Sequence, residues 1–334
     1  MSNTNPAAIW IKNPLAIFAK DSDGGVVIQG QNIIELVSLG ETPNTHIDEI
    51  YDASASVLLP GLINTHHHFY QTLTRAYPEA LNKELFPWLK SLYKVWANIQ
   101  PEMLAVSTEL ALSELLLSGC TTASDHHYLF PSQLENAIDI QVEEAQKIGM
   151  RVVLTRGSMS LGEKDGGLPP QSVVQTKEQI LTDSERLIKA YHESEEGAMT
   201  QIALAPCSPF SVTTDLMIET SELAQHYDVR LHTHLAETID EENFCLDKFG
   251  LRTVDYLESV GWLSDRTWLA HGIHFNQQEI QKLGDFGVGI CHCPSSNMVL
   301  ASGICHSLEL EEAGSTIGLG VDGSASNDGS NMIA

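Results

Sequence analysis

Short apolar segments that alternate with longer helix-like segments constrain the fold of this chain most strongly. The apolar segments end near residues 66, 124, 156, 206, 234, 271, 292 and 322. Helical periodicity covers residues from about 101–118, 133–149, 177–193, 214–227 and 276–284. This alternation predicts an α/β fold, a (β/α)8 TIM-type barrel, which typically needs ~250 residues. A doubly wound open sheet is the alternative, but no glycine-rich phosphate loop follows any of the segments.

The first part of the chain has a different pattern, in which short strands are separated by turns. Apolar runs cover residues 8–11, 25–28 and 33–37, and glycine-containing turns lie between them. This spacing predicts a small antiparallel unit. We therefore expect residues 1–57 to form the N-terminal part of a small β-sandwich and residues 58–334 to form the barrel, with the chain ending after strand eight.

Composition excludes several classes of partner. The formal net charge is -26, with 18 Lys and Arg against 44 Asp and Glu, which argues against nucleic-acid polymers and anionic membrane surfaces. No apolar run approaches the ~20 residues of a membrane span, and the N-terminus has no signal-peptide pattern. Because the six cysteines show no disulfide spacing, we expect reduced thiols and a cytoplasmic location.

A run of three histidines follows the first strand-like segment of the predicted barrel. The apolar run at 57–63 predicts a buried strand that leads into His66, His67 and His68. Alternate side chains of a strand share a face, so His66 and His68 point the same way, about 6.6 Å apart along the strand. Two imidazoles placed in this way can converge on one divalent metal.

Other predicted strand ends supply the remaining groups of a catalytic metal site. His234 and Asp322 complete a set of three histidines and one carboxylate, which is typical of catalytic sites with an open position for water. A bound metal lowers the pKa of water towards ~7, and Asp322 can accept the proton. We expect zinc, with iron as the alternative, because His and Asp ligands suit both metals. No Lys ends the fourth strand, which favours one metal over two.

Two further residues have the positions that acid–base catalysis needs. Glu237 comes three residues after His234 and is predicted to be a general acid, while His271 ends the sixth strand and is predicted to orient the attacking water. The other histidines are interpreted as core or loop residues. Of these, His232 shares a strand face with His234 and is the one expected to support a ligand.

This set of residues resembles the amidohydrolase superfamily, and the resemblance extends over essentially the whole chain. The spacing from His234 to Glu237, with the segments 64–76, 205–212 and 322–328, is similar to the deaminases of aromatic nitrogen heterocycles. The resemblance implies one metal, a glutamate that carries protons, and a homo-oligomer, expected to be a dimer. In such proteins residues after the barrel complete the sandwich, which implies that the C-terminal part is missing here. An inert truncated product is therefore an alternative.

The same resemblance gives expectations about the substrate. It implies a small heterocyclic substrate, with deamination of 8-oxoguanine to urate and ammonia favoured. A hydroxyatrazine-type triazine, guanine or another heterocycle, and a cyclic amide that is opened are the alternatives. Gln71, Cys207 and Ser208 are the candidate substrate-binding residues. Ordinary guanine deaminases carry an Arg at the position of Cys207, which argues against guanine.

Overall fold

The computed structural model describes residues 6–333, and they divide into two compact units. The first unit ends at Gly61 and the second begins at Leu62. The predicted division between residues 57 and 58 stays a prediction.

Six strands form the first unit. They are β1 (Ala8–Lys12), β2 (Ala16–Ile17), β3 (Gly25–Gln29), β4 (Asn32–Val37), β5 (Glu49–Asp52) and β6 (Val57–Leu58). Four of them form a sheet in the order β4-β3-β1-β5, and β2 pairs with β6. The predicted antiparallel pairing is confirmed for β1, β3 and β4. It is wrong for the strands that the sequence pattern missed, because β5 pairs with β1 in parallel and β6 pairs with β2 in parallel.

The apolar run at 57–63 is not one buried strand, and that prediction is wrong. Its first residues form β6 in the first unit, and β7 begins only at Leu62. Pro60 lies between the two strands and has no N–H to give to a ladder. Val57 and Ile63 are more than half exposed, so an apolar composition did not make the run a core strand.

The second unit is a closed barrel of eight parallel strands, as predicted. The strands are β7 (Leu62–Asn64), β8 (Cys120–His127), β9 (Arg151–Ser158), β10 (Thr200–Pro206), β11 (Leu231–Leu235), β12 (Thr267–His271), β13 (Gly289–His292) and β14 (Ile317–Leu319). Each strand pairs with the next along the chain, and Leu319 of β14 pairs with Asn64 of β7 to close the circle. Closure brings the carboxyl ends of all eight strands to one rim.

Helices connect the strands of the barrel. They are α1 (Leu85–Trp96), α2 (Pro101–Leu117), α3 (Ala137–Ile148), α4 (Lys177–Tyr191), α5 (Thr214–Tyr227), α6 (Ile239–Phe249), α7 (Thr253–Ser259), α8 (Gln277–Asp285), α9 (Pro294–Val299), α10 (Ser307–Ala313) and α11 (Ser324–Asn327). The predicted helical segments correspond to α2, α3, α4, α5 and α8. A short helix, α11, follows β14, a position at which no helix was expected. Within residues 6–333, no helix is both long enough and apolar enough to span a bilayer.

Two helices lie on the carboxyl side of the strands, close to the rim where the predicted site residues gather. Helix α1 is amphipathic and buries one face, which includes Leu85, Trp88 and Leu89. Helix α9 follows β13 directly and begins at Pro294, a residue well suited to the first turn of a helix.

Candidate metal centre and active site

Four potential ligand atoms converge at the carboxyl ends of the barrel strands. The Nε2 atoms of His68 and His234 are 3.2 Å apart, and Asp322 Oδ1 is 3.3 Å from His68 Nε2. His66 Nε2 is also 3.3 Å from Asp322 Oδ1. Ligands at 2.0–2.1 Å from a tetrahedral zinc ion are separated by about 3.3–3.4 Å. These spacings therefore match the edges of a tetrahedral metal site.

A relay of two hydrogen bonds, from His66 through His232 to a backbone carbonyl, fixes the candidate ligand His66 in one tautomer. His232 Nδ1 lies 2.9 Å from the carbonyl oxygen of Trp268, to which it donates its proton. His232 Nε2 is then an acceptor, and it receives the Nδ1 proton of His66 at 2.8 Å. His66 Nε2 consequently carries a lone pair, and this buried atom has no hydrogen-bond partner. The expected support by His232 is thus a direct contact with a candidate ligand.

The other two candidate histidine ligands are fixed in the same tautomer by carbonyl groups. His68 Nδ1 donates to the backbone oxygen of His126 at 2.7 Å, and His234 Nδ1 donates to that of Cys207 at 2.6 Å. Burial lowers the pKa of His68 to about 3 and that of His234 well below its usual value, so both rings are neutral near pH 7. Three lone pairs and a carboxylate oxygen would repel one another without a cation between them. The residues present therefore fit a divalent metal.

Asp322 is held by its neighbours on both oxygens. Ser296 Oγ donates to Asp322 Oδ2 at 2.6 Å, and the N–H of Gly323 donates to Oδ1 at 2.7 Å. The Asp322 N–H donates to the carbonyl oxygen of His66 at 3.1 Å, which ties the loop after β14 to the loop after β7. Asp322 has a φ of 62°, a left-handed conformation that Asp tolerates better than most residues.

Glu237 and His271 form a buried pair beside the four converging atoms. Glu237 Oε2 is 3.3 Å from His271 Nε2, and Glu237 Oε1 accepts from Ser302 Oγ at 3.3 Å. Burial, together with the charges of Asp322 and Glu241, raises the pKa of Glu237 well above its usual value. Burial lowers the pKa of His271 to about 4. The raised pKa favours the protonated carboxyl of Glu237, which is the form that can give a proton.

One cavity contains these groups and opens between α1 and the rim of the barrel. Its polar lining includes Gln71, Cys207 and Glu237, and its apolar lining includes Trp88 and Phe210. Two of the three candidate substrate-binding residues, Gln71 and Cys207, therefore line the same cavity as the candidate acid. Gln71 Oε1 is buried and has no hydrogen-bond partner, so it is available as an acceptor.

Ser208, the third candidate for substrate binding, has a different position. It is buried, and its hydroxyl is 2.8 Å from that of Ser211. Among the residues that the structure describes, Ser208 is not part of the cavity lining. The hydroxyl of Ser208 is thus engaged within the loop after β10.

The structure also brings in residues that the sequence pattern does not single out. The sequence indicates only a core or loop position for His126, but its ring stacks on that of His234, with centroids 4.6 Å apart. His126 lies at the end of β8, and this strand-end position is the sequence feature from which its place in the site could be predicted. Ser296 and Asn297 of α9 contact Asp322 and His271, respectively. The residues of α9 do not follow the strand-end pattern, so these two contacts are visible only in the folded structure.

Comparison with known proteins places the chain in a family. Residues 57–334 match the amidohydrolase family, and the chain belongs to that family.

Among its relatives, the chain is 66% identical to an 8-oxoguanine deaminase of Pseudomonas aeruginosa, over 97% of this chain and 73% of that protein. It is 33% identical to a hydroxydechloroatrazine ethylaminohydrolase of Pseudomonas sp. (strain ADP), over 92% of this chain and 67% of the relative. A solved structure of atrazine chlorohydrolase from Arthrobacter aurescens TC1, in complex with zinc, superposes with a TM-score of 0.90. It is 31% identical to this chain and covers 97% of this chain and 74% of its own.

Proposed function

We propose that this chain is a mononuclear metal-dependent aminohydrolase that converts 8-oxoguanine and water into urate and ammonia. The observation that carries the proposal is the buried carboxyl of Glu237, whose pKa is raised, beside a set of atoms with the spacing of a metal site. Hydrolytic deamination needs both an activated water and a nearby acid. The 66% identity to an 8-oxoguanine deaminase supports the choice of substrate.

The proposed metal ligands are His66, His68, His234 and Asp322, and zinc is the proposed ion. A divalent cation held by these residues would lower the pKa of a coordinated water and supply hydroxide near neutral pH. The zinc in the related atrazine chlorohydrolase supports the choice of metal. Because hydrogen bonds orient the three histidines before any metal arrives, little rearrangement is needed for binding.

Three side chains have roles in the proposed proton transfers. Asp322 accepts the proton of the attacking water. Glu237 gives its proton to the ring nitrogen next to the carbon that carries the amino group, then takes up the second proton of the added water and passes it to the departing ammonia. The proton held by Asp322 restores the acid form of Glu237. His271 lies 3.3 Å from Glu237 and orients the attacking oxygen. The purine ring stays intact in the product urate, so one water is consumed for each ammonia released.

Substrate recognition is proposed to involve Gln71 and Cys207. The free acceptor of Gln71 suits a ring N–H, and Cys207 presents a thiol rather than a cation to the cavity. Burial raises the pKa of Cys207 to about 12, so the thiol is neutral. A neutral thiol at position 207 supplies no positive charge, so it does not favour the binding of an anionic purine. Ser208 is also a candidate, and we assign it an indirect role through the loop after β10.

The second candidate is removal of an alkylamine from a hydroxylated triazine. The related ethylaminohydrolase favours it, although at half the identity of the deaminase. Both reactions use the same proposed groups, so the released amine distinguishes them. A reaction that opens the ring is a third candidate, and a product that retains its ring would exclude it.

A substrate panel tests the proposal. The zinc-loaded chain is assayed with 8-oxoguanine, guanine and hydroxyatrazine, and both ammonia and the organic product are measured. We expect urate from 8-oxoguanine with the highest kcat/KM of the three. Ethylamine or isopropylamine from hydroxyatrazine as the main activity would replace the proposal by the second candidate. No turnover of any of the three by a folded, metal-loaded chain would support the inert product.

Two further predictions belong with this proposal. We propose a homodimer, which light scattering after size-exclusion chromatography would test against a monomer. We also propose a cytoplasmic location, which fractionation of the source cells would test.

A further inference from the structure

We propose that Asn297 is a positioning residue that keeps His271 in the tautomer with its proton on Nε2, which makes His271 a donor and excludes it from the metal. This inference rests on the proposed function for its catalytic meaning. Its physical basis is the hydrogen bonding around one imidazole ring, which lies beside the candidate ligands.

On one side of the ring, His271 meets a donor. Asn297 Nδ2 is 3.0 Å from His271 Nδ1, and both side chains are buried. An amide NH2 group can only donate, so Nδ1 must accept and cannot carry the proton. In a neutral imidazole the proton is then on Nε2.

On the other side of the ring, His271 faces the carboxyl group of Glu237. Nε2 is 3.3 Å from Glu237 Oε2, and His271 belongs to a group with His66 and Asp322 in which the potential ligand atoms lie within 4.8 Å of one another. An Nε2–H can donate to Glu237 Oε2, which accepts when the carboxyl proton is on Oε1. The contact with Glu237 therefore fits the tautomer that the amide of Asn297 requires.

The three proposed histidine ligands have the opposite arrangement. Each of them donates its Nδ1 proton to a carbonyl oxygen or to His232, and each turns a bare Nε2 towards the same point. His271 lies in the same cluster, with its ring stacked on His234 at 5.5 Å between centroids. The partner of Nδ1 therefore separates the histidines that bind a cation from the one that donates a hydrogen bond.

Two hydrogen bonds hold the backbone of Asn297. Its N–H donates to the carbonyl oxygen of Cys293 at 3.0 Å, and its own carbonyl accepts from the N–H of Ser302 at 2.9 Å. The preceding residue, Ser296, donates to Asp322 Oδ2. Adjacent residues of α9 thus hold His271 and the proposed base.

Nitrogen NMR of histidine-labelled protein tests the proposal, because the two ring nitrogens report which one carries the proton. The zinc-loaded chain is compared with His271→Gln, which assigns the signals of His271 by their loss. We expect His271 to be neutral with the proton on Nε2. Asn297→Asp places an acceptor of the same shape against Nδ1, and we expect Nδ1 to gain a proton in that variant. A proton on Nδ1 in the unmodified chain, or an unprotonated Nδ1 in Asn297→Asp, would overturn the proposal.

Two more variants separate positioning from folding. Asn64→Asp is the matched control: Asn64 is buried, its Oδ1 accepts from the Val321 N–H, and its Nδ2 has no partner. An Asp there keeps its hydrogen bond, so the His271 signals should not move. Asn297→Leu removes the donor, and we expect kcat to fall about 10²-fold with KM and bound zinc little changed. An unchanged kcat would contradict the proposal. If the tautomer is as expected but no substrate is deaminated, only the proposed function fails.

Discussion

Replacing Glu237 by Gln tests the proposed proton donor with little change of shape. Glu237 is 3% exposed, so bulk water cannot easily supply the missing proton. General acid–base catalysis contributes about 10²–10⁴-fold to a rate, and burial places Glu237 in the upper part of that range. We therefore expect kcat to fall by about 10³–10⁴-fold, which corresponds to about 4–5.5 kcal/mol of barrier height.

The same variant should leave binding and folding intact. Glu237 is outside the four converging atoms, so E237Q should retain one zinc per chain and a similar KM. An amide oxygen can still accept from Ser302, which lies 3.3 Å from Glu237 Oε1. The assay is release of ammonia from 8-oxoguanine, with bound zinc measured on the same samples. The control is E109Q, an exposed site on α2. A kcat within about tenfold of the unmodified chain would refute the assignment of Glu237 as the acid.

Four other changes test separate parts of the proposed site. His234→Ala should lose bound zinc and turnover together, and a variant that keeps both would remove His234 from the ligand set. His232→Phe takes away the acceptor that orients His66, so zinc affinity should fall about 10–100-fold in a competition with a chelator; an unchanged affinity would count against the relay. Cys207→Arg should shift kcat/KM from 8-oxoguanine towards guanine, and a loss that is equal for both substrates would show that Cys207 does not select between them. Lowering the pH from about 6.5 should destabilise the metal-free chain in urea unfolding. Burial holds the pKa of His67 at about 3, so this ring takes up its proton only on unfolding, which contributes up to about 1.4 kcal/mol per pH unit. Replacement of His67 by Gln should reduce the dependence of the unfolding free energy on pH. An identical dependence would contradict the assignment of this effect to His67.

The positions of the chemical groups could be predicted because a closed barrel brings all strand ends to one rim. His234, His271 and Asp322 are far apart in the sequence, yet each follows an apolar segment of strand length. Once the alternation of strands and helices is recognised, the barrel topology brings these residues together without any knowledge of side-chain packing. That is why the proposed ligands and acid–base groups were accessible from sequence.

The supporting hydrogen bonds were not accessible in this way. Ser296 and Asn297 contact groups that are 26 residues away along the chain, and helix α9 carries no strand-end pattern. The role of His126 depends on how its ring stacks on His234, which is decided by packing inside the barrel. Such contacts depend on side-chain orientation, and residue spacing does not specify it.

Local composition also misled the prediction at one boundary. The run at 57–63 has the apolar content of a buried strand, but Pro60 and Gly61 divide it. The histidines after it nevertheless converge, because β7 at 62–64 is long enough to direct the following loop into the barrel mouth. His66 and His68 therefore lie just beyond the strand, in irregular backbone, rather than on it.

Titration of the metal-free chain with zinc, in water enriched in oxygen-18, tests the central claim most directly. Turnover of 8-oxoguanine should rise with bound zinc and reach its maximum at one equivalent per chain. The urate formed should contain one heavy oxygen for each ammonia released, because water supplies the new oxygen atom. Full turnover without zinc, a maximum at two equivalents, or urate without the heavy oxygen would contradict the proposal of a single-metal hydrolytic deaminase.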